Sequence, residues 1–344
     1  MSESILVEDY ETFKLNENLM KETVEEIESN IPSNFIEIRL PSNGAFDGIP
    51  RVLHFRNYCA SESLDISMAS DEDKPRIIAD VLKGMCFEKF EISELPIQDI
   101  LYILYYIQAK FINPIITKTI LLDENEDYSE ENSEEVEIPI HKLNCILFGK
   151  DVNDKDYEQQ IKVPFSIKDT KDNHIIKFRF PTLKDSIVAQ RYCKKHFADE
   201  FLKYNTIRKR INDIQEISNL TKRAEAENKF LEEHFSECEE FYDFQKRYNL
   251  EIAKIMQCLQ IVGYDGTDFE TLEEKWNCYT TQIPTSIWVK FNDISEKYQF
   301  GLDNNVEVYS NKLKKKLVRN VGFQLSDFLS VDEQKDDERY VVLS

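Results

Sequence analysis

The sequence predicts an α+β protein that is predominantly helical, in which small β elements flank a helical bundle with a long helical insert. Glycine and proline are scarce, at 8 and 10 of 344 residues, so the chain offers few sites for sharp turns. Residues 182–262 contain neither of them, and their apolar side chains recur at helical spacing. Short alternations of apolar and polar residues elsewhere predict a few strands. Apolar residues make up 41% of the chain, which is enough for buried cores.

Composition divides the chain into seven predicted segments. These are an acidic N-terminal arm (1–35), an N-terminal α+β lobe (36–122), an acidic loop or linker (123–135), a β-rich segment (136–181), a helical domain (182–300), a C-terminal β-hairpin (301–330) and a charged tail (331–344).

The N-terminal lobe is predicted to begin with strands and continue with helices. Apolar residues alternate over residues 36–40, where a strand ends in the turn at 41–44, and residues 51–55 are a second strand candidate. An acidic N-cap at residues 70–73 predicts a helix that runs to about Met85. Pro96 suits the first position of a further helix, which is nearly buried.

The middle of the chain is predicted to change from a linker to edge strands and then to helices. Residues 136–140 and 161–165 read as short strands whose prolines place them at sheet edges. A single helix over residues 182–262 would be about 120 Å long, so a bundle broken near Asn205, Ser218 or Asn249 is favoured. Residues 263–268 read as a loop, and two helices are expected before residue 300.

Charge restricts the partners of this protein. The 43 basic and 65 acidic residues give a formal net charge of −22, which repels nucleic acid and anionic lipid, so we expect neither nucleic acid nor membrane as a partner. Residues 1–30 lack the pattern of a signal peptide, and the most apolar run, 100–109, is too short to span a bilayer. Seven scattered cysteines without a Cys-x-x-Cys pair indicate reduced thiols of a cytosol-type compartment.

Two short segments share one pattern of residue classes. Residues 36–42 (IEIRLPS) and 176–182 (IKFRFPT) both read apolar, charged, apolar, Arg, apolar, Pro, hydroxyl. We call them the strand–proline segments. Each is explained by a strand that ends at proline, so their likeness has two open explanations, which are chance and two related small lobes. The second is followed by a near capping box, in which Asp185 stands where glutamate is usual.

A zinc site is a weak alternative among the helices. Cys193 and His196, and likewise His234 and Cys238, have spacings that place each pair on one helix face, and two antiparallel helices would bring the four together. The simpler interpretation is that these cysteines are small buried apolar residues. We therefore expect no metal and no other cofactor.

No motif of enzymatic chemistry is present in the sequence. It contains no Gly-x-Ser-x-Gly nucleophile elbow, no glycine-rich phosphate loop and no His-Glu-x-x-His motif, and its five histidines are widely spaced. The basic run at residues 312–316 suits a solvated hairpin turn or a contact with an acidic partner. A protein without catalytic function is therefore expected.

Several of these stretches resemble a known family. Residues 40–44 (LPSNG), 52–56 (VLHFR), the apolar helix of 95–109, 178–185 (FRFPTLKD) and the closing stretch of 306–328 are similar to the baseplate hub and tail assembly proteins of T-even-type contractile-tailed bacteriophages. Relatives often carry a cysteine metal knuckle in the last hairpin, where this chain has Tyr309, Ser310 and Asn311 instead.

The resemblance implies a non-enzymatic tail protein that assembles the baseplate in the host bacterial cytoplasm by binding other tail and baseplate proteins. The expected contact surfaces are strand edges at which a partner adds a strand, with Ile36, Ile38, Arg39, Ile176, Phe178 and Arg179 as the partner-binding residues. Two alternatives remain open. One is a structural subunit retained in the virion baseplate, and the other is an acidic regulator that binds a basic host protein.

Overall fold

A computed structural model describes residues 31–70, 72–111, 113–123, 132–140, 143–148, 163–168, 174–215, 217, 220–323 and 325. The protein is α+β and predominantly helical, with 51% in helices and 23% in strands of small sheets, which confirms the predicted fold class. Most of the predicted acidic arm, residues 124–131 of the predicted linker and the predicted charged tail lie outside the described residues.

The described helices are α1 (Ala60–Ser67), α2 (Lys74–Met85), α3 (Ile97–Phe111), α4 (Leu183–His196), α5 (Ala198–Gln215), α6 (Leu220–Glu233), α7 (Phe235–Leu259), α8 (Leu272–Thr281) and α9 (Thr285–Lys297). Within the same ranges the strands are β1 (Phe35–Arg39), β2 (Val52–Arg56), β3 (Ile115–Leu121), β4 (Ser133–Pro139), β5 (Cys145–Ile146), β6 (Phe165–Lys168), β7 (Ile175–Phe178), β8 (Ile261–Tyr264), β9 (Thr267–Asp268), β10 (Gly301–Leu302), β11 (Asn305–Ser310) and β12 (Lys315–Asn320).

The largest core joins the two ends of the described chain. The antiparallel pairs β1–β2, β3–β4 and β11–β12 pack with α2 and α3 around fully buried residues such as Ile38, Leu53 and Ile103. The C-terminal hairpin contributes Val306 and Val308 to this same core. The predicted hairpin therefore exists, and it completes the N-terminal lobe.

The remaining apolar residues form three smaller clusters. α4, α5 and α7 surround a bundle core, while the four-stranded sheet β6-β7-β8-β9 packs with α8 and α9. An aromatic cluster of Phe148, Phe165, Phe180 and Phe300 lies between these parts. In the part of the chain that the structure describes, every helix is too short or too polar to cross a bilayer.

The helical segment is a bundle, as predicted, but its breaks lie mostly at other positions. One break falls between α5 and α6, near the expected Ser218, whereas the others follow His196 and Glu233. Asn205 and Asn249 lie inside α5 and α7, where both are exposed. Their neighbours are buried, and this packing outweighs the weak helix propensity of an asparagine.

Residues 263–268 are strand and turn, which corrects the predicted loop. Asp265 and Gly266 have φ of +47° and +84°, as the first and second central residues of a tight hairpin turn of the I′ kind require. The strand β8 that precedes the turn pairs with β7, more than 80 residues earlier in the chain. This pairing cannot be inferred from residues 263–268 alone, because the partner strand lies outside that stretch.

Candidate functional site

Both strand–proline segments end at the first turn of α3. In the first, the backbone N–H of Ser42 donates to Asp99 Oδ1 at 2.9 Å. In the second, the carbonyl of Pro181 accepts from the N–H of Ile97 at 3.1 Å, and the N–H of Leu183 donates to the carbonyl of Leu95 at 3.0 Å. The two segments therefore both hydrogen-bond to the start of one buried helix and fix its position.

Asp99 is a fully buried carboxyl group at this junction. Its Oδ1 accepts one hydrogen bond, whereas Asp99 Oδ2 and the hydroxyl of Ser42 are both buried without a partner. Burial raises the pKa of Asp99 to about 7, although the hydrogen bond from the Ser42 N–H acts in the opposite direction. The sequence places Asp99 in an acidic first helical turn, a pattern typical of exposed residues, so the buried role was not predicted.

Arg179 has a carboxylate partner that the sequence analysis did not find. Its guanidinium is bound at both nitrogens by Asp185, at 2.5 Å from Nη1 to Oδ2 and 2.7 Å from Nη2 to Oδ1. Asp185 also accepts from the N–H of Thr182 at 2.9 Å and so completes the predicted capping box. Because Asp185 is 3% exposed, Arg179 balances a buried charge.

The strand edges expected to bind a partner differ in the structure. β7 lies between β6 and β8, so it has no free edge, and Ile176 and Phe178 are buried. Strand addition at the second segment is therefore a wrong expectation. Among the described residues β1 pairs with β2 alone, so its outer edge is unpaired. Ile38 is buried, Ile36 is half-buried, and Arg39 is exposed beside that edge, bonded to Asn43 Oδ1 at 2.9 Å.

The four candidate zinc ligands do not come together. Cys193 interacts with Tyr248 and Glu251 of α7, whereas Cys238 lies beside Tyr242, and the 13 residues from 238 to 251 span about 20 Å of helix. Burial raises the pKa of Cys193 to about 11 and also raises that of Cys238, which opposes the thiolate that zinc requires.

The two histidines of the zinc hypothesis have other partners. His196 packs its ring edge-to-face against Phe197, and His234 Nδ1 lies 2.9 Å from Glu237 Oε2. The described residues contain no group of three or more histidine, cysteine or acidic side chains placed to hold a metal ion.

The basic run at residues 312–316 uses its backbone to hold an internal carboxylate. Glu134 of β4 accepts from the Ser310 hydroxyl at 2.5 Å, from the N–H of Asn311 at 2.7 Å and from the N–H of Lys312 at 3.3 Å. Burial alone would raise the pKa of Glu134, but these donors outweigh it and hold the pKa below its usual range. Ser310 and Asn311, at the start of this turn, are thus both bound by Glu134.

A cleft of about 610 Å³ beside Arg179 holds a buried lysine. Lys275 of α8 is 8% exposed, and its Nζ donates to the carbonyl of Leu259, at the end of α7, at 3.3 Å. Burial lowers the pKa of Lys275, and the nearby Arg179 lowers it further. Sequence reasoning missed this lysine, although it lies three residues from both Leu272 and Cys278 on the apolar stripe of α8.

Comparisons with known proteins identify no relative. No protein-family model matches the chain, and neither a curated protein nor a solved structure matches it significantly.

Proposed function

We propose that the protein is a non-enzymatic assembly protein for the baseplate hub of a contractile phage tail. It acts in the host bacterial cytoplasm and binds other tail and baseplate proteins. Support for this proposal comes from the sequence likeness of residues 40–44, 52–56 and 178–185 to that family. These stretches contain the turn after β1, the strand β2 and the start of α4, which surround the junction at α3.

The outer edge of β1, which has no strand partner among the described residues, is the observation that supports binding through protein contacts. A strand edge presents backbone N–H and C=O groups that an extended segment of a partner can pair with. Glu37 and Arg39 are exposed on this strand, so opposite charges flank the edge. A partner strand whose charges complement Glu37 and Arg39 is therefore favoured at this edge.

Quantitative mass spectrometry tests this proposal in infected cells. Purified virions and the infected-cell lysate are compared, and an epitope-tagged copy of the protein is captured from the lysate. For an assembly factor, we expect the capture to contain tail or baseplate proteins and the purified virions to lack the protein itself.

Other outcomes separate the alternatives. A few copies in each virion would identify a retained structural subunit of the baseplate instead of a departing factor. Capture of a basic host protein in place of tail proteins, abolished by salt, would replace the assembly proposal with the acidic regulator.

A further inference from the structure

The turn that follows β1 connects the candidate binding edge to a buried acid. We call residues 41–44 the β1 turn. Ser42 of this turn donates its backbone N–H to Asp99 Oδ1 at 2.9 Å, and the side chain of the neighbouring Asn43 accepts from Arg39 at 2.9 Å. A displacement of the β1 turn from α3 would therefore also displace Arg39, which is exposed beside the outer edge of β1.

The backbone of the β1 turn adopts conformations that need support. Asn43 has φ of +53° and Gly44 has φ of +75°, both in the left-handed region, which is unfavourable for a residue with a side chain. Gly44 is also packed so closely that an added Cβ would lie 2.7 Å from Arg51 Cγ. A segment of this kind keeps its conformation only while the surrounding structure holds it. The hydrogen bond to Asp99 is one of the contacts that do so.

The surroundings of Asp99 favour its neutral form. Its side chain is fully buried, and neither its Oδ2 nor the hydroxyl of Ser42 has a hydrogen-bond partner among the described residues. A carboxylate would be buried there with one N–H donor, whereas water would solvate it if the β1 turn opened. Because burial raises the pKa of Asp99 to about 7, this change of charge falls near neutral pH. Ionisation therefore favours opening of the β1 turn.

The charged and titratable side chains around this junction leave the charge of Asp99 uncompensated. They belong to β1 and β2, the second strand–proline segment, β5 and α3 itself, and β10 carries none: Arg39, Arg51, His54, Arg179, Asp185, Cys145 and Tyr102. The pKa of Asp99 responds to burial and to Ser42, and none of these side chains shifts it. Histidine also changes charge near neutral pH, so His54, which contacts Glu88 at 2.6 Å, is the competing source of a pH effect.

We propose that Asp99 is a pH-dependent latch for the β1 turn, in which the protonated acid holds the turn closed against α3 and the ionised acid releases it. Release displaces Arg39 from the edge of β1, so a partner strand should bind more tightly below neutral pH than above it. This effect on binding rests on the proposed role of the β1 edge. Opening of the β1 turn does not depend on any partner.

Hydrogen exchange of the purified protein at pH 6 and pH 8 tests the latch directly. The reporters are the backbone N–H groups of Ser42, Asn43 and Ala45, which are all hydrogen-bonded in the closed turn. After correction for the intrinsic effect of pH on exchange, we expect their protection to fall about tenfold from pH 6 to pH 8, because the open form gains stability as Asp99 ionises. Unchanged protection would overturn the proposal.

Buried amides of α3 show whether the opening is local. The N–H groups of Ile103 and Leu104 lie in the core and exchange only when the protein unfolds more widely. We expect the reporters in the β1 turn to exchange at least about tenfold faster than these two at pH 8. Equal protection would mean that the β1 turn opens only with the whole fold, and Asp99 would then be no latch.

Two variants assign the effect to Asp99. Asp99→Asn should abolish the difference between pH 6 and pH 8, because a carboxamide does not ionise, and the exposed Asp80→Asn should retain it. A difference that persists in Asp99→Asn would belong to another group, such as His54, and would refute the assignment. Exchange in the unmodified protein decides the first expectation without any variant.

Capture at the same two pH values tests the consequence for binding. From infected-cell lysates, the tagged unmodified protein should retain at least about threefold less tail protein at pH 8 than at pH 6, since fewer molecules are competent to bind. Asp99→Asn should retain equal amounts. Equal capture by the unmodified protein, with the β1 turn open at pH 8, would refute the effect on binding. If no tail protein is captured at either pH, the assembly proposal fails, and hydrogen exchange alone still decides the latch.

Discussion

The carboxyl group of Asp99 receives the backbone N–H of Ser42 at 2.9 Å, across 57 residues of chain, and neither residue is exposed to solvent. This contact ties the turn that ends β1 to the first turn of α3. It also leaves the protein with a buried acid whose ionisation is costly, because one of its oxygens has no partner. Stability should therefore depend on pH at this single position.

Replacing Asp99 with asparagine should remove that pH dependence. The pKa of Asp99 in the folded state is about 7, above its ordinary value of 3.8, so the folded protein binds the proton more tightly than the unfolded chain does. Stability is then highest below about pH 4 and falls as the pH rises through 7, by up to about 4 kcal/mol for this group. Asp99→Asn should thus be more stable than the unmodified protein at pH 8 by up to about 4 kcal/mol, its advantage should shrink to about 1.6 kcal/mol at pH 5, and it should vanish only below about pH 4.

Urea unfolding at the two pH values measures this difference. Asp80→Asn is the matched control, because the Asp80 side chain is 67% exposed. If Asp99→Asn and the unmodified protein lose stability in parallel between pH 5 and pH 8, Asp99 is not the source of the dependence.

Removing the guanidinium of Arg179 should destabilise the fold instead of affecting partner binding alone. Arg179→Met leaves the buried Asp185 carboxylate without its cation, which should cost about 2–4 kcal/mol, less than for a fully buried pair because Arg179 is 25% exposed. Arg76→Met, which breaks an exposed pair with Asp80, should cost under about 1 kcal/mol.

A double-mutant cycle with Asp185→Asn isolates the pair. We expect a coupling energy of about 1–3 kcal/mol from denaturant unfolding of the four proteins. Strict additivity would mean that the two side chains do not interact in solution. The sequence pattern predicted the same partner-binding role for Arg179 and Arg39. Charge reversal at Arg179 cannot test that role, because it would also destabilise the fold.

Glu134 should determine whether the C-terminal hairpin stays docked. Glu134→Ala removes the acceptor for the buried hydroxyl of Ser310 and for the backbone N–H groups of residues 311 and 312. We expect a loss of about 1.5–3 kcal/mol and faster hydrogen exchange across residues 305–320. Glu307→Ala, an exposed partner of Lys316 on the same hairpin, is the control. Unchanged exchange in Glu134→Ala would contradict the role.

Lys275 should reduce stability at neutral pH. Its folded pKa is lowered from 10.5 mainly by burial, so the folded state binds its proton less tightly and stability rises as the pH approaches 10.5. Lys275→Met should therefore be at least as stable as the unmodified protein at pH 7, with a smaller advantage at pH 9.5. Thermal midpoints at both values, beside Lys246→Met at an 80% exposed lysine, measure this. A lower midpoint for Lys275→Met at pH 7 would show that the bond to Leu259 outweighs desolvation.

Local patterns in the sequence predicted the elements that local interactions determine. The capping box of Thr182 and Asp185 involves residues three apart, and the alternation in β1 reflects one buried face. Asp265-Gly266 is also a local hairpin signal, which could have corrected the predicted loop at 263–268.

The contacts that build the candidate site are long-range, which is why sequence analysis missed them. Glu134 meets a turn more than 170 residues later, and the partner of Ser42 lies inside a helix that the alternation at β1 does not indicate. Within the described ranges, β1 has a strand neighbour on one edge and β7 on both, although the two segments share one pattern. Two segments with the same pattern therefore have different surfaces available to a partner.

Charge reversal beside the outer edge of β1 should weaken partner capture without unfolding the protein. Arg39 is exposed and bonds only to Asn43 among the contacts described for its side chain, so Arg39→Glu should change stability by under about 0.5 kcal/mol. A partner strand placed along this edge would meet a negative charge where a positive one stood, and we expect capture of tail proteins to fall about tenfold, equivalent to roughly 1.4 kcal/mol. Arg76→Glu on α2 is the control, since that side chain is 56% exposed and distant from β1 in sequence. Tagged proteins captured from infected lysates are compared by mass spectrometry, with circular dichroism to verify folding. Capture by Arg39→Glu at the level of the control would exclude this edge as the binding surface.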